Sequence, residues 1–295
     1  MRPILTLLSL SLFFLACASG GPRPGSGALG GRLEPFFQRQ GVTIAVAYRN
    51  LGTGATYFHS EDETFHAAST MKVPVMMALF QAVDAGDLRL TQPIAVRNQF
   101  QSIVDGSPFA LDPKEDGDPD LYQAIGGSRP LEELIRRMIV RSSNLATNLL
   151  IEKIGASRAT DLMRGLGAYR IQVLRGVEDQ KAFDAGLNNK VTARDLEIAL
   201  TALAKGSTFS PASNAKMIEI LKAQEFNEKI PAYLPKGMPI AHKTGDITGI
   251  HHDAAIVYPP GKAPYVLVVL TSGYEDEKEA NQVIAEISRV VWQGR

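Results

Sequence analysis

The 295-residue chain balances 31 lysines and arginines against 31 aspartates and glutamates, so its formal net charge at pH 7 is zero. Hydrophobic residues make up 45% of the chain and charged residues 21%, which is ordinary for a soluble globular protein of one large domain or two closely packed ones. Because the chain has neither a net charge nor a long basic or acidic run, we expect no nucleic-acid partner.

An export signal is predicted over residues 1–17. One arginine precedes a mainly apolar run at 4–16, which is too short to span a membrane. The single cysteine, Cys17, stands where the signal ends, so the mature protein has no disulfide. A lipoprotein signal with Cys17 acylated and a plain signal cut after Ala18 both remain open. The Gly/Ser/Pro-rich stretch 18–31 is predicted to be a flexible linker and favours the lipid anchor, in an exported protein that is periplasmic or envelope-anchored.

The elements of the remaining chain are predicted to be strands at both ends and helices between them. They are a hairpin of strands at 42–48 and 55–59, a helix from about Ser69 to 85–86, helices within 131–154, a helix from 191–196 with Thr192 as its N-cap, a helix at 211–226, a hairpin of strands at 254–258 and 265–270, and a helix at 277–292. This order predicts an α+β fold, with an antiparallel sheet subdomain from 32–66 and 206–295 and an inserted all-helical subdomain at 67–205.

Two polar stretches of the helical part are predicted to be loops. Residues 97–130 are rich in proline and glycine, and their acidic patch, 112–120, is interpreted as a solvated surface. Residues 173–190 lack any periodicity and are predicted to form a long irregular loop.

Ser69 and Lys72 place a hydroxyl and an amine three residues apart at a helix start, and therefore on one helix face. A desolvated lysine can remove the proton that keeps a serine hydroxyl a weak nucleophile. The serine's own N–H would have no partner within the helix and would suit a developing oxyanion.

Two later stretches carry matching chemistry, although each is weak alone. Ser142 and Asn144 supply a hydroxyl and an amide where another helix is predicted to begin. Lys243, Thr244 and Gly245 supply a cation, a hydroxyl and a residue that lets a ligand approach the backbone.

Taken in this order, Ser69-x-x-Lys72, Ser142-x-Asn144 and Lys243-Thr244-Gly245 resemble the three signatures of the penicillin-recognising serine hydrolases, and the class A beta-lactamases most of all. The resemblance covers roughly residues 32–292 and implies a five-stranded sheet of the beta-lactamase/transpeptidase type. We expect a monomer that acts on a small molecule without a metal or other cofactor. The adjacent histidines 251 and 252 would face opposite sides of a strand and could not share a metal.

The resemblance implies a role for each matched residue. Ser69 would be the acylated nucleophile and Lys72 would take or relay its proton. Ser142 would pass a proton to the leaving nitrogen, and Asn144 would bind the substrate's side-chain amide and steady Lys72. Lys243, with Thr244 beside it, would meet the substrate carboxylate.

The expected oxyanion hole is formed by the backbone N–H groups of Ser69 and Asp246. An acid at 246 departs from the family, which usually has a small residue after Lys-Thr-Gly, and it would repel an anionic substrate unless its side chain points away. The strand at 265–270 also lacks the arginine with which many class A enzymes hold the substrate carboxylate.

Deacylation requires a base that activates water. In the class A beta-lactamases, which the chain resembles, a loop glutamate is that base. Glu178 is the matching candidate and Asp179 is a second. The family's Glu-Pro-Glu-Leu-Asn pattern is missing, and Asn189 stands where an acid would close the loop.

The predicted function is therefore hydrolysis of the beta-lactam amide through an acyl-enzyme on Ser69. Two other functions remain open: a D-Ala-D-Ala peptidase or esterase of the same superfamily, and a non-hydrolytic penicillin-binding or sensor domain of the envelope. The first would prefer a peptide to nitrocefin, and the second would form a stable adduct without turnover.

Overall fold

The computed structural model describes residues 26–294. The predicted export signal, Cys17 and residues 18–25 of the predicted linker lie outside this range. Within it the chain forms nine α-helices: α1 (Ser26–Leu33), α2 (Lys72–Asp84), α3 (Leu131–Val140), α4 (Asn144–Ile154), α5 (Ala156–Gly165), α6 (Gln180–Asp184), α7 (Ala193–Lys205), α8 (Pro211–Lys222) and α9 (Glu277–Gly294). Among these described residues, no helix is long and apolar enough to cross a bilayer.

The strands of the described range are β1 (Thr43–Asn50), β2 (Thr56–His59), β3 (Phe65–His66), β4 (Pro93–Ala95), β5 (Phe100–Gln101), β6 (Pro108–Phe109), β7 (Ser128–Pro130), β8 (Lys190–Val191), β9 (Ile240–Ile247), β10 (Ile250–Val257) and β11 (Tyr265–Ser272). Five of them form one antiparallel sheet in the order β2-β1-β11-β10-β9. The predicted α+β class and the five-stranded sheet built from both ends of the chain are confirmed.

Both faces of the sheet are covered, which explains why its central strands are apolar at nearly every position. Along β1, Ala45 and Ala47 join the core beneath the helical layer, whereas Val46 and Tyr48 join the core beneath the terminal helices α1 and α9. Side chains alternate between the faces of a strand, so a strand that is buried on both sides loses the polar alternation of a half-exposed one.

α1 shows that part of the predicted flexible linker is folded. The helix covers residues 26–31 of that range, and its Leu29 and Leu33 are buried with α9 and the outer sheet face. Burying two leucines contributes about 1.5–3 kcal/mol each, which outweighs the poor helix propensity of the glycines. The assignment of 18–31 to a linker is therefore wrong for residues 26–31.

α2 is the buried axis of the helical part and contacts α3, α4, α5 and α8. Its residues from Lys72 to Phe80 are all buried. Pro74 occupies its first turn, where a missing N–H leaves no helical hydrogen bond unmade. α7 lies between the helices and the sheet, in contact with β1, β10 and β11. The exact subdomain boundaries at 67 and 205 stay a prediction.

Candidate active site

Ser69 lies at the entrance of the buried helix. The 3-10 helix Ala68–Met71 continues directly into α2, and Ser69 is partly exposed while its neighbours Ala68 and Thr70 are buried. Groups of the first helical turn have no N–H partner within the helix. Because α2 is buried, the hydroxyl and the backbone N–H of Ser69 are held in a fixed position at the surface end of this helix.

Gly245 lets strand β9 approach Ser69 closely. A Cβ atom at position 245 would lie 3.0 Å from the Thr70 nitrogen and 3.1 Å from the Ser69 nitrogen, so any side chain here would force a shift. The contact brings the 245–246 backbone beside the start of the nucleophile helix. The predicted oxyanion hole, formed by the N–H groups of Ser69 and Asp246, requires such a close approach.

Lys72 is fully buried and is directed at the Ser142–Asn144 segment. Its Nζ donates to the Ser142 carbonyl oxygen at 2.7 Å, to the Ser142 Oγ at 3.2 Å and to the Asn144 Oδ1 at 2.9 Å. From the other side, the buried Lys243 Nζ donates to the same Ser142 Oγ at 3.1 Å. The Ser142 hydroxyl is therefore held between two lysines.

Burial changes the protonation of both lysines. It lowers the pKa of Lys72 to about 7, although the charges of Asp116 and Glu178 oppose the shift. Burial and the charge of Lys72 hold the pKa of Lys243 well below its usual range. Near neutral pH a large fraction of Lys72 is thus an uncharged amine, which can accept a proton.

Backbone strain is concentrated at the same residues. Four non-glycine residues of the described chain have positive φ, and three of them are Ala68 next to the nucleophile (43°), Ser142 (56°) and Glu178 (61°). Such conformations cost roughly 1–3 kcal/mol each and persist only where the surroundings enforce them. Their grouping is independent support for a functional site.

Glu178 completes a continuous hydrogen-bonded network. Its Oε1 accepts from the Asn144 Nδ2 at 2.7 Å, and Asn144 also contacts Lys72. Burial raises the pKa of Glu178, while the hydrogen bond from Asn144 opposes the rise. A half-buried carboxylate beside the nucleophile's cleft is suited to activate a water molecule.

Asp179 has a structural role that competes with its use as a base. Its carboxylate accepts from the Ser102 hydroxyl at 2.9 Å, from the Ile103 N–H at 2.9 Å and from the Ala182 N–H at 3.1 Å. These bonds cap α6 and tie the 173–190 loop to the neighbouring loop. Of the two candidate acids, Glu178 is the one that is hydrogen-bonded to Asn144 and, through it, connected to Lys72.

Asn189 closes the 173–190 loop through hydrogen bonds of its side-chain amide, at a position where the family's pattern has an acid. Its Oδ1 accepts from the N–H groups of Leu174 and Arg175, and its Nδ2 donates to the Arg175 carbonyl. The Arg175 side chain binds Asn188 and the backbone oxygens of Gly176 and Leu187. The loop thus keeps its closure without an arginine–aspartate pair.

Asp116 is a site residue that sequence reasoning missed. Its buried carboxylate accepts from the N–H groups of Asn144 and Leu145 and from the Tyr122 hydroxyl, at 2.8–3.0 Å. It therefore caps α4 and positions the Ser142–Asn144 turn. The neighbouring Asp118 is also buried and pairs with Arg137 and Arg141. The prediction that the 112–120 patch is solvated is wrong at these two residues, because the loop folds back over the start of α4.

Asp246 does not face the cleft as a free acid. Its Oδ2 accepts from the Lys229 Nζ at 2.9 Å, and its Oδ1 contacts the His251 Nδ1 at 3.0 Å. Lys229 is a second residue that the sequence analysis did not single out. The neighbouring His252 is directed elsewhere, since its Nε2 contacts the His66 carbonyl, and the predicted opposite orientation of the two histidines is confirmed. Over residues 26–294 no group of histidine, cysteine and acidic side chains could hold a metal ion.

Two cavities open beside Ser69 and share Ser69, Asn144 and Asp246 in their linings. One, of about 300 Å³, extends along the loop that carries Glu178 and is also lined by Phe183 and Ile247. The other, of about 250 Å³, extends along Ser142 and Thr244. A substrate bound across both would place a carbonyl over the Ser69 hydroxyl between a base and a proton donor, which is the arrangement that acyl transfer needs.

A site of this kind, at the junction of a helical layer and a five-stranded antiparallel sheet, defines a serine acyl-transfer enzyme of the Ser-x-x-Lys type. The comparison with known sequences gives the family. The model described as "Beta-lactamase enzyme family" matches residues 29–294, and the chain belongs to that family.

Curated relatives and solved structures agree with this assignment. The chain is 28% identical to a beta-lactamase of Rhodobacter capsulatus, over 86% of this chain and 84% of that protein. It is 27% identical to the carbapenem-hydrolyzing beta-lactamase KPC of Klebsiella oxytoca, over 88% of each chain. Among solved structures it is similar to PBP-A, with a TM-score of 0.77, 27% identity and coverage of 90% of this chain and 95% of that one. An ancestral class A beta-lactamase has the same TM-score, with 28% identity and coverage of 90% and 100%.

Proposed function

We propose that the protein is a class A-type serine beta-lactamase that hydrolyses the amide of beta-lactam antibiotics. The observation that carries this proposal is the continuous network from Lys243 through Ser142, Lys72 and Asn144 to Glu178. Membership of the beta-lactamase family and its relatives named beta-lactamase support it.

In the acylation step, the Ser69 oxygen attacks the lactam carbonyl and its proton passes to the neutral amine of Lys72. The carbonyl oxygen becomes negative and is stabilised by the N–H groups of Ser69 and Asp246. As the carbon–nitrogen bond breaks, the Ser142 hydroxyl gives its proton to the leaving nitrogen, and Lys72 restores that proton. The product of this step is an ester on Ser69.

In the deacylation step, the Glu178 carboxylate takes a proton from a water molecule, whose oxygen attacks the ester carbonyl. Release of the Ser69 oxygen, with return of the proton, regenerates the enzyme. The raised pKa of Glu178 makes it a stronger base than an exposed glutamate. Asn144 holds both Lys72 and Glu178 and so connects the two steps.

The test is steady-state hydrolysis of nitrocefin by the protein and by its Ser69→Ala variant. We expect turnover by the parent and its loss in the variant. A D-Ala-D-Ala peptide is the competing substrate, because the structure is as similar to PBP-A as to an ancestral beta-lactamase. Peptide release without nitrocefin turnover would favour the peptidase function, and a stable adduct on Ser69 without turnover would favour a binding or sensor domain.

We also propose export to the envelope, with a lipid anchor on Cys17 as the only membrane contact and a monomer as the active form. The sequence of residues 1–25, which lie outside the described range, supports the export signal and the anchor. Cell fractionation of the parent and of Cys17→Ala tests the anchor. We expect membrane-bound protein for the parent and release of the variant, and equal distribution of the two would contradict it.

A further inference from the structure

The cavity beside Ser142 and Thr244 is where the carboxylate of a beta-lactam would bind, if the proposed function is right. Its lining carries three exposed carboxylates, Glu115, Glu228 and Glu277, together with Asp246 and a single lysine, Lys229. The charge of this part of the cleft therefore depends on what Lys229 is paired with.

Lys229 is buried in the cavity wall, and the residue after it is anchored by a buried carboxylate. The Lys229 side chain is 3% exposed, and the N–H of the next residue, Ile230, donates to the buried Asp253 Oδ2 at 3.0 Å. Asp253 lies on β10 opposite Thr244 of β9, so the anchor belongs to the same strand pair as the site. A lysine in this position would be a natural partner for a substrate carboxylate.

The positive charge of Lys229 is already paired with the carboxylate of Asp246. The ion pair between the Lys229 Nζ and the Asp246 Oδ2 measures 2.9 Å, and His251 holds the other carboxylate oxygen at 3.0 Å. The other lysine of this region, Lys243, is less readily protonated than an exposed lysine, because burial and the charge of Lys72 hold its pKa well below its usual range. β10, the strand that pairs with β9, has the sequence IHHDAAIV and provides no arginine to replace it.

We infer that Asp246 is a specificity-determining residue, which by pairing with Lys229 disfavours substrates that carry a carboxylate at this end of the cleft. A substrate carboxylate must either displace Asp246 from Lys229 or bind beside an acid without a free cation. A substrate without that carboxylate meets neither penalty. The inference rests on the proposed function, since it concerns the rate at which Ser69 is acylated.

The experiment compares benzylpenicillin with its methyl ester, which differ only in the charge at this position. The measured quantity is the ratio of the two kcat/KM values, acid over ester. Any displacement of the Asp246 N–H changes both substrates alike and cancels in the ratio. In Asp246→Asn we expect the ratio to rise about tenfold, through a lower KM for the acid, because Lys229 becomes free.

Two further variants separate this pairing from a general charge effect. Glu277→Gln removes one carboxylate from the same cavity without freeing a lysine, and we expect it to change the ratio by about twofold or less. In Asp246→Asn/Lys229→Gln the gain should disappear, because the cation that the carboxylate would use is gone. Circular dichroism and a thermal melt check that every variant is folded.

The inference is overturned if Asp246→Asn leaves the ratio unchanged, if Glu277→Gln raises it as much, or if the gain persists without Lys229. These results are distinct from failure of the proposed function. If the proposed function is wrong, neither penicillin nor its ester acylates Ser69 in any variant, and no ratio of kcat/KM values is obtained.

Discussion

The protonation of Lys72 makes a quantitative prediction for the pH dependence of acylation. Burial lowers the pKa of this lysine to about 7, and only the neutral amine can accept the Ser69 proton. For a pKa of about 7, the neutral fraction is about 0.1 at pH 6 and about 0.9 at pH 8. We therefore expect the acylation rate to rise about tenfold between these pH values.

The Glu178→Gln variant tests the cause of this profile. Asp116 and Glu178 both raise the pKa of Lys72, so removing the charge of Glu178 lets the pKa fall further. More of the lysine is then neutral at a given pH, and the midpoint of the acylation profile should move to lower pH. This variant should also accumulate the acyl-enzyme, which makes the acylation step directly visible.

The assay is stopped-flow acylation by nitrocefin between pH 5.5 and 9, in the parent and in Glu178→Gln. For the parent, kcat/KM reports the ionisation of the free enzyme. A rate that does not change with pH over this range would refute the assignment of Lys72 as the base. A midpoint that moves to higher pH in Glu178→Gln would refute the electrostatic reasoning.

Three further substitutions test the geometry of the site. Gly245→Val should lower kcat/KM by about 100-fold or more with the fold retained, because its side chain would push β9 away from the Ser69 nitrogen. Asp116→Asn should destabilise the protein by about 2 kcal/mol in a denaturant titration, since it leaves one acceptor oxygen and puts an NH2 group, which cannot accept, where the second oxygen binds N–H groups of the Asn144 turn. Asp179→Asn should lower the Tm through the 173–190 loop, yet leave a deacylation step that nitrocefin turnover can detect.

Each of these predictions has an opposite outcome. Parent-like activity of Gly245→Val would mean that strand and helix need not approach so closely. Unchanged stability of Asp116→Asn would remove the support for its capping role. A trapped adduct in Asp179→Asn, together with normal turnover in Glu178→Gln, would show that Asp179 and not Glu178 is the deacylation base.

The sequence predicted the fold because its signals are local. The two hairpins alternate strand composition with turn residues, and Thr192 caps α7 through the Asp195 N–H as expected. Periodicity alone does not single out the residues of the three motifs, since a serine and a lysine three residues apart occur on many helix surfaces, and the resemblance to a known family adds the rest.

The parts that the sequence did not predict depend on contacts between distant segments. Asp116 reaches Asn144 across 28 positions, and nothing local distinguishes it from its solvated acidic neighbours. Nothing in the sequence around Lys229 distinguishes it from other lysines. Its place in the site depends on the Asp253 carboxylate, which binds the N–H of the next residue, Ile230. Asn189 replaces an acid by making amide hydrogen bonds, which a motif written for an acid cannot reveal.

The central claim is that the Ser69 hydroxyl is acylated with the aid of Lys72, Ser142 and Lys243. The most direct test is mass spectrometry of Glu178→Gln after incubation with benzylpenicillin, followed by peptide mapping. The account predicts an adduct of one intact penicillin on the peptide that contains Ser69, and no adduct when Ser69→Ala is added to the same background. An adduct on another residue, or none, would contradict it.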